Sequence, residues 1–381
     1  MKLLLATFYP VFSNAAGAEK IFWEMSNEFI KRGYEVVAVG CENKHHKPFY
    51  NIDKNIKCVN VGLNAKNIKV KIKSLIYITR KKRHEFIEKQ ELNYILKTMN
   101  KVISEEKPDI IISYQPKMTY VLISLIETNI PVITMFHNVP GAADVPVNNF
   151  DINLAMKKSK IIQVLMPSYI EKVKNSLFYD NVIFIPNPVP QLENNINYSS
   201  KKIICVGRIE PLVKRQHLLI EAFNKIKENY TDWIVEFYGP YSDKEYLNKC
   251  KALVTKYNLE RQIYFYKPVR DIYLKLRSAS IFAFPSKYEG FPLALTEAMS
   301  LGLPVIGYDS AAGVNELIID GRNGFLCNDG VDDFAQKLKI LMSDIELRKN
   351  FSYNAHNSMK KYAPKKIWDE WENIIIKVTK Q

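Results

Sequence analysis

Two glutamates, Glu289 and Glu297, are separated by seven residues in the run Tyr288-Glu-Gly-Phe-Pro-Leu-Ala-Leu-Thr-Glu-Ala-Met299. Paired carboxylates can act as general acid and base, or accept hydrogen bonds from the hydroxyls of a polyol. Their surroundings narrow the choice. Ile281-Phe-Ala-Phe284 followed by Pro285-Ser286 reads as a strand reaching a loop. Pro292 suits the first position of a helix, and Gly302 with Pro304 marks its end. Glu289 is then expected at the loop mouth and Glu297 roughly a turn and a half into the helix. Both would sit at the carboxyl end of a strand, where open α/β sheets bind ligands. Glu228 and Glu236 have the same spacing without that context, so spacing alone carries no signal.

A cationic loop lies in the same half of the chain. Gly207-Arg208 follows the predicted strand Lys202–Val206, and Lys214 comes six residues after the arginine. Glycine at a strand end lets the backbone turn tightly. Arginine then offers a planar fork and lysine a point charge, a combination that suits a diphosphate. The helix from Phe291 onward adds free N–H groups and a partial positive charge at its start. The plainer alternative is that Arg208 pairs with Glu210 and Lys214 faces water. Arg215, next to Lys214, is a rival phosphate ligand. His137, in Thr134-Met-Phe-His-Asn138, follows another predicted strand. His45-His46 has no partner at metal-ligand spacing and reads as a solvated loop.

Alternating strand and helix signals position these groups. In the first half, strands are expected at Leu3–Thr7, Glu35–Val39, Asp109–Ser113, Val132–Phe136, Ile161–Met166 and Val182–Ile185. Helices are expected at Ala18–Lys31 and Glu85–Ser104. The second half repeats the rhythm with Lys202–Val206, a helix Gln216–Asn229, Trp233–Tyr238, Ile263–Tyr266, Ile281–Phe284, Val305–Tyr308 and a helix Val331–Ser343. Such βαβ alternation implies parallel, doubly wound sheets. The expected division is an N-terminal Rossmann-like domain over 1–185, a Pro/Asn/Ser-rich linker over 186–200 and a C-terminal Rossmann-like domain over 201–360. A final helical segment over 361–381, with Trp368 and Trp371, would pack back on the first domain. The fold class is thus α/β, with two domains facing across a cleft.

Composition bounds the rest. The 381 residues are 47% hydrophobic and 25% charged, as in soluble globular proteins. Five scattered cysteines exclude the usual zinc spacings and fit a reducing cytosol. The apolar N-terminal stretch superficially resembles a signal peptide, but it is interrupted by Pro10 and continues into a helix. No apolar run reaches the ~18 residues of a membrane span. The net charge of +14 leans towards residues 1–185, which hold 26 basic and 17 acidic side chains. It is densest over Lys66–Arg83, where eight basic residues interleave with apolar ones and no acid occurs. That pattern suits a solvated surface or an anionic lipid interface. No nucleic-acid recognition motif accompanies it.

The chain resembles the retaining glycosyltransferases of the GT-B fold, the family 4 group of nucleotide-sugar transferases. The marks are the Glu289/Glu297 block, Gly207-Arg208 with Lys214, the loop Ala15-Ala-Gly17 after the first strand, Pro304-Val-Ile306 and the Gly321-Arg-Asn-Gly324 turn. The resemblance implies that Glu297 accepts hydrogen bonds from the ribose and that Glu289 binds hydroxyls of the transferred sugar. It implies that the backbone of Gly290, Phe291 and Leu293 meets the diphosphate or sugar, and that Val269 and Arg270 line the base. Arg208 and Lys214 would neutralise the departing diphosphate, and His137 would face the donor sugar. Gly17 belongs to a loop that carries Gly-Gly in the family, where this chain has Ala16-Gly17. The implied activity is transfer from a nucleotide-diphosphate sugar, a UDP-sugar by family frequency, with retained anomeric configuration. The acceptor would be a glycan or a polyprenyl-diphosphate-linked glycan of the cell envelope. No cofactor, metal or nucleic acid is expected, and no Asp-x-Asp triplet occurs. The expected location is the cytoplasm, with peripheral contact at the inner face of the membrane through residues 66–83. The competing readings are a non-catalytic nucleotide-sugar binder and a nucleotide-sugar epimerase on the same scaffold. A dinucleotide-dependent oxidoreductase is disfavoured, because no Gly-x-Gly-x-x-Gly follows a predicted strand.

Overall fold

The short apolar runs form two sheets in which every pairing is parallel. The computed structural model describes residues 1–12, 17–42, 49–61, 80–141 and 150–380. Contacts divide the chain into two units, Met1–Ile185 with Trp368–Gln381, and Pro186–Ile367. Each sheet has the strand order of a doubly wound fold. The strand runs read from sequence recur within two residues at either end, because a continuous apolar run bounded by turn residues leaves little freedom of register.

In the first unit the strands are β1 (Lys2–Ala6), β2 (Glu35–Gly40), β3 (Lys57–Asn60), β4 (Ile110–Ser113), β5 (Val132–Met135), β6 (Ile161–Val164) and β7 (Val182–Phe184). Their order is β3-β2-β1-β4-β5-β6-β7, so the topology switches direction between β1 and β4. The central strands are buried on both faces, as helices on either side require. These helices are α1 (Gly17–Lys31), α2 (Arg80–Glu106), α3 (Pro116–Tyr120), which continues as a π-helical turn, α4 (Phe150–Lys157) and α5 (Ser168–Leu177). α1 buries Phe22, Trp23, Met25 and Phe29, and the Trp23 indole N–H donates to the Val11 carbonyl at 2.7 Å.

The second unit contains β8 (Lys202–Val206), α6 (Gln216–Asn224), β9 (Ile234–Tyr238), α7 (Lys244–Lys256), β10 (Ile263–Tyr266), α8 (Ile272–Arg277) and β11 (Ile281–Phe284). It continues with α9 (Leu293–Ser300), β12 (Val305–Tyr308), β13 (Gly324–Cys327), α10 (Asp332–Ser343) and α11 (Ile345–Met359). The order β10-β9-β8-β11-β12-β13 puts the switch point between β8 and β11. The helix expected over Gln216–Asn229 stops at Asn224, and Lys227–Asn229 tighten into a 3-10 turn. That turn lets Trp233 enter the core, 3% exposed, before β9 begins. Asp243, Asp271 and Asp344 cap α7, α8 and α11 by accepting the N–H groups of Tyr246, Leu274 and Leu347. Arg348 is buried and donates to the carbonyls of Leu341, Met342 and Tyr198, so it satisfies the end of α10.

Residues 186–200 hold no helix or strand, yet they are tied into the second unit. Val189 N–H donates to Tyr362 O at 2.8 Å and the Asn194 amide to Ser352 Oγ at 3.1 Å. The last helix, α12 (Pro364–Thr379), returns the chain to the first unit from Trp368 onward. There Trp371 and Ile375 are buried, and the Arg32 guanidinium meets Asp369 at 2.8 Å and Glu372 at 2.5 Å.

Candidate active site

The loop after β8 is shaped by its neighbours. The N–H of Gly207 donates to Tyr238 O at 2.9 Å, and that of Ile209 to Pro240 O at 2.9 Å, so pairing beside β9 continues past the strand end. Gly239 lies directly opposite, where a Cβ would stand 1.9 Å from the Gly207 carbonyl oxygen. At Gly207 itself an added Cβ would make only ordinary contact, 3.4 Å from Lys214 Cδ. The expectation that Gly207 supplies the tight turn is therefore corrected. The glycine that packing demands is Gly239, one strand away, and only the pairing of β8 with β9 reveals it.

Glu210 folds the rest of this loop. Its carboxylate accepts the N–H groups of Leu212 at 3.1 Å, Val213 at 3.2 Å and Lys214 at 2.9 Å. With Glu210 so engaged, Arg208 forms no ion pair within 4 Å among the described residues; it is exposed, and its carbonyl accepts from the Gln216 amide at 2.7 Å. The plainer alternative for both cations thus fails. The adjacent pair Lys214 and Arg215 separates at a left-handed residue, because Arg215 has φ 48°. The Arg215 guanidinium donates to the carbonyls of Pro285 and Ser286, each at 3.0 Å, and lies 4.8 Å from the Tyr308 ring centre. Arg215 is a brace between the loops after β8 and β11. Lys214 instead donates to Glu289 Oε1 at 2.5 Å, with its ammonium 5.1 Å from the Phe284 ring centre.

Glu289 is held by its own backbone, since its N–H donates to Ala312 O at 2.8 Å beside a bridge between Tyr288 and Ala312. Gly290 and Phe291 follow, both buried, and the Phe291 ring packs edge-on against Tyr362 at 5.6 Å. Pro292 caps α9 rather than opening it, which corrects the expected position. Its ψ of 85° is not helical, although its carbonyl accepts the first helical bond from Thr296 at 3.0 Å. The N–H groups of Leu293, Ala294 and Leu295 consequently have no acceptor within the helix. The far end closes as a Schellman motif, with Leu303 N–H on Ala298 O, Gly302 N–H on Met299 O and Gly302 at φ +85°.

Glu297 sits on the second turn of α9, only 8% exposed, and its Oε1 accepts the Tyr273 hydroxyl at 3.3 Å. Tyr273 lies on α8, just after Val269, which is half-buried, and Arg270, which is exposed. Lys214 and Glu289 are thus in contact, while Gly207, Gly290 and Phe291 occupy the same pair of loops after the neighbouring strands β8 and β11, and Leu293 opens α9 directly after the second of them. Glu236, whose spacing from Glu228 imitates the motif, is a core residue of β9. It pairs with Lys202 at 3.1 Å and accepts the Tyr238 hydroxyl at 3.1 Å.

His137 and Gly17 belong to the first unit. The His137 ring stacks on Tyr114, with centroids 4.8 Å apart and planes 15° apart. Its Nε2 is buried without a hydrogen-bond partner among the described residues, and burial pushes the imidazole pKa down to about 4. It is therefore neutral at physiological pH. Gly17 opens α1; Ala15 and Ala16, like His45, His46 and residues 66–79 of the basic segment, lie outside the described residues. Gln115 escaped the sequence reading. It follows β4 as His137 follows β5, accepts the Thr7 hydroxyl at 2.8 Å and leaves its amide nitrogen buried and without a partner among the described residues. Tyr273 was likewise not anticipated, since only its tertiary partner Glu297 marks it; Glu210 was weighed only as a partner of Arg208, whereas it binds the N–H groups of its own loop. Among the described residues no group of three or more His, Cys, Asp or Glu side chains could hold a metal, and no helix is long and apolar enough to cross a membrane.

Comparison with known proteins agrees with this geometry. The sequence profile of the glycosyl transferases group 1 family matches residues 191–358. An uncharacterised glycosyltransferase of Haemophilus influenzae is 26% identical over 369 residues, which cover 95% of this chain and 97% of the other. A poly(ribitol-phosphate) alpha-N-acetylglucosaminyltransferase of Staphylococcus aureus is 28% identical over 59% of this chain, although the match spans only 48% of that longer protein. Among solved structures, a TarM variant of S. aureus bound to fondaparinux, alpha-GlcNAc-glycerol and UDP superposes with a TM-score of 0.77 at 16% identity, covering 98% of this chain and 99% of that one. HepE from Anabaena in complex with UDP-glucose gives 0.77 at 15% identity, covering 99% and 100%. These likenesses establish the GT-B fold.

Proposed function

We propose, from the match of residues 191–358 to the glycosyl transferases group 1 family within a chain of GT-B fold, a retaining, family 4-like transfer of a sugar from a nucleotide-diphosphate donor, a UDP-sugar, to an envelope glycan or its polyprenyl-diphosphate-linked precursor. The observation that carries the reading is the meeting of Lys214 and Glu289 on the loops after β8 and β11, the switch point where such sheets take their ligands. The poly(ribitol-phosphate) transferase and a Campylobacter jejuni transferase that acts on a diphospho-undecaprenol glycan, 28% identical over 58% of this chain, support the acceptor class.

Each residue then has a role that its chemistry suits. Glu297 is nearly buried, with one oxygen engaged by Tyr273, and accepts the ribose hydroxyls. Glu289 accepts hydroxyls of the transferred sugar. The open N–H groups at the start of α9 and the cations Arg208 and Lys214 stabilise the negative charge that builds on the leaving diphosphate. Val269 and Arg270 line the base. The acceptor hydroxyl attacks on the face that the diphosphate leaves and passes its proton to a donor phosphate oxygen. His137, being neutral, serves the sugar as a hydrogen-bonding group and not as a counter-ion. We place the protein at the inner face of the membrane, with segment 66–83 touching anionic lipid; co-flotation with phosphatidylglycerol vesicles, lost when its lysines become glutamine, tests that placement.

The roles separate in kinetics. Glu297→Ala is expected to raise the donor KM or Kd about 10- to 100-fold, as loss of hydrogen bonds to a charged acceptor implies. Arg208→Ala is expected to lower kcat by about 100-fold, with donor affinity changed much less. Wild-type constants in both variants would sink the assignment. The alternative of binding without catalysis predicts donor affinity with neither transfer nor donor hydrolysis.

A further inference from the structure

We propose that Glu289 makes the empty site electrically self-contained, so that it selects an intact nucleotide sugar over a free nucleoside diphosphate. This rests on the donor-site reading above and goes beyond it. The Lys214 ammonium and the Glu289 carboxylate lie 2.5 Å apart, with side chains only 15% and 13% exposed. Water screens so covered a pair weakly, and separating it leaves charges that need new partners. Packing holds the lysine stem, which passes over Gly207, while the ammonium 5.1 Å from the Phe284 ring centre keeps the reach of its terminal carbons. The backbone of Glu289 is anchored by its N–H bond to Ala312 O, and its side chain is largely covered. The cation that a diphosphate would need is therefore already neutralised in the empty site.

The consequence differs for the two ligands. A free diphosphate brings negative charge towards Glu289 and draws Lys214 off it, and it has no hydroxyl at that position to satisfy the carboxylate in return. A nucleotide sugar brings its sugar hydroxyls to the same spot. Glu289 then exchanges an ammonium donor for hydroxyl donors, and Lys214 turns to the phosphates with neither group left without a hydrogen-bond partner. The order reverses after transfer. Once the sugar has left, Glu289 regains Lys214 and the diphosphate loses a cation, which favours product release, a step that often limits turnover. The carboxylate thus works by opposing the wrong ligand as well as binding the right one.

The test is calorimetric titration of the intact chain with UDP, GDP and ADP and with UDP-glucose, GDP-mannose and ADP-glucose. Wild type is compared with Glu289→Gln, which is close to isosteric, and Glu289→Ala, which needs less room; a melting curve verifies that each folds. For the base that wild type accepts, both variants are expected to bind the free diphosphate about ten-fold tighter. They should bind the sugar nucleotide no tighter, so the preference for it falls by the same factor. Lys214→Met should weaken both ligands. Diphosphate affinity that is unchanged or weaker in a folded variant overturns the proposal while leaving the donor-site reading intact. A wild type that binds none of the six ligands overturns that reading, and the proposal with it.

Discussion

His137 shows what burial does to one titratable side chain. Its folded pKa lies near 4 against an ordinary 6.5, so as pH falls the unfolded chain takes up the proton first. The stability it contributes is complete above about pH 6.5 and is lost as pH drops towards 4. Between pH 7.5 and pH 5, wild type is expected to lose up to about 2 kcal/mol more stability than His137→Phe. Urea unfolding at the two pH values checks this, and identical pH dependence of the two proteins would contradict it. The position of His137 was legible, because a histidine at the end of an apolar strand run is conspicuous. Its neutrality was not, because that depends on burial in the fold, with Tyr114 stacked on the ring from just past the end of the neighbouring strand β4. Lys214 and Arg215 make the same point. They are neighbours of similar charge, and a single left-handed φ sends one to Glu289 and the other to the carbonyls of Pro285 and Ser286.

At the scale of elements, most strands were legible because burial on both faces of a parallel sheet writes itself as an apolar run; β3 and β13, which are only partly buried, were not read. The helices were less so. α7, α8 and α11 have thin apolar stripes, and the signal that begins each is a capping aspartate at Asp243, Asp271 or Asp344. The ends of elements also place the site. Gly239→Ala would put a methyl 1.9 Å from Gly207 O and push the Arg208 loop out of line. It is expected to weaken donor binding at least ten-fold in a chain that still folds, which titration reads directly; unchanged affinity would show that the loop geometry is irrelevant. Gly302→Ala should instead cost stability, about 1–2 kcal/mol, since it combines φ +85° with a methyl 2.5 Å from Asn194 Oδ1. A denaturation midpoint that does not move would contradict the role given to the end of α9.

For the whole molecule, the sequence suggested a division that the contacts draw by other means. The Pro/Asn/Ser-rich stretch 186–200 reads as a linker from composition, yet its bonds to Ser300, Ser352 and Tyr362 make it part of the second unit. Such partners lie more than a hundred residues away and leave no local trace. In the first unit, Arg32 gathers Glu28, Asp369 and Glu372 around the end of the chain. Arg32→Ala is expected to lower stability by roughly 1–2 kcal/mol and to speed proteolytic trimming of residues 368–381; trimming at the wild-type rate would mean that apolar burial of Trp371 and Ile375 suffices. The central claim is that the carboxyl end of the second sheet binds a nucleotide-diphosphate sugar. The most direct measurement is thermal melting of the intact chain with UDP, GDP, ADP and their sugar conjugates, alongside Glu297→Ala. One base series is expected to raise the wild-type melting temperature by several degrees, because ligand at a hundred times its Kd adds about 2.7 kcal/mol, and to do so far less in the variant. A flat panel, or equal shifts in wild type and Glu297→Ala, would contradict it.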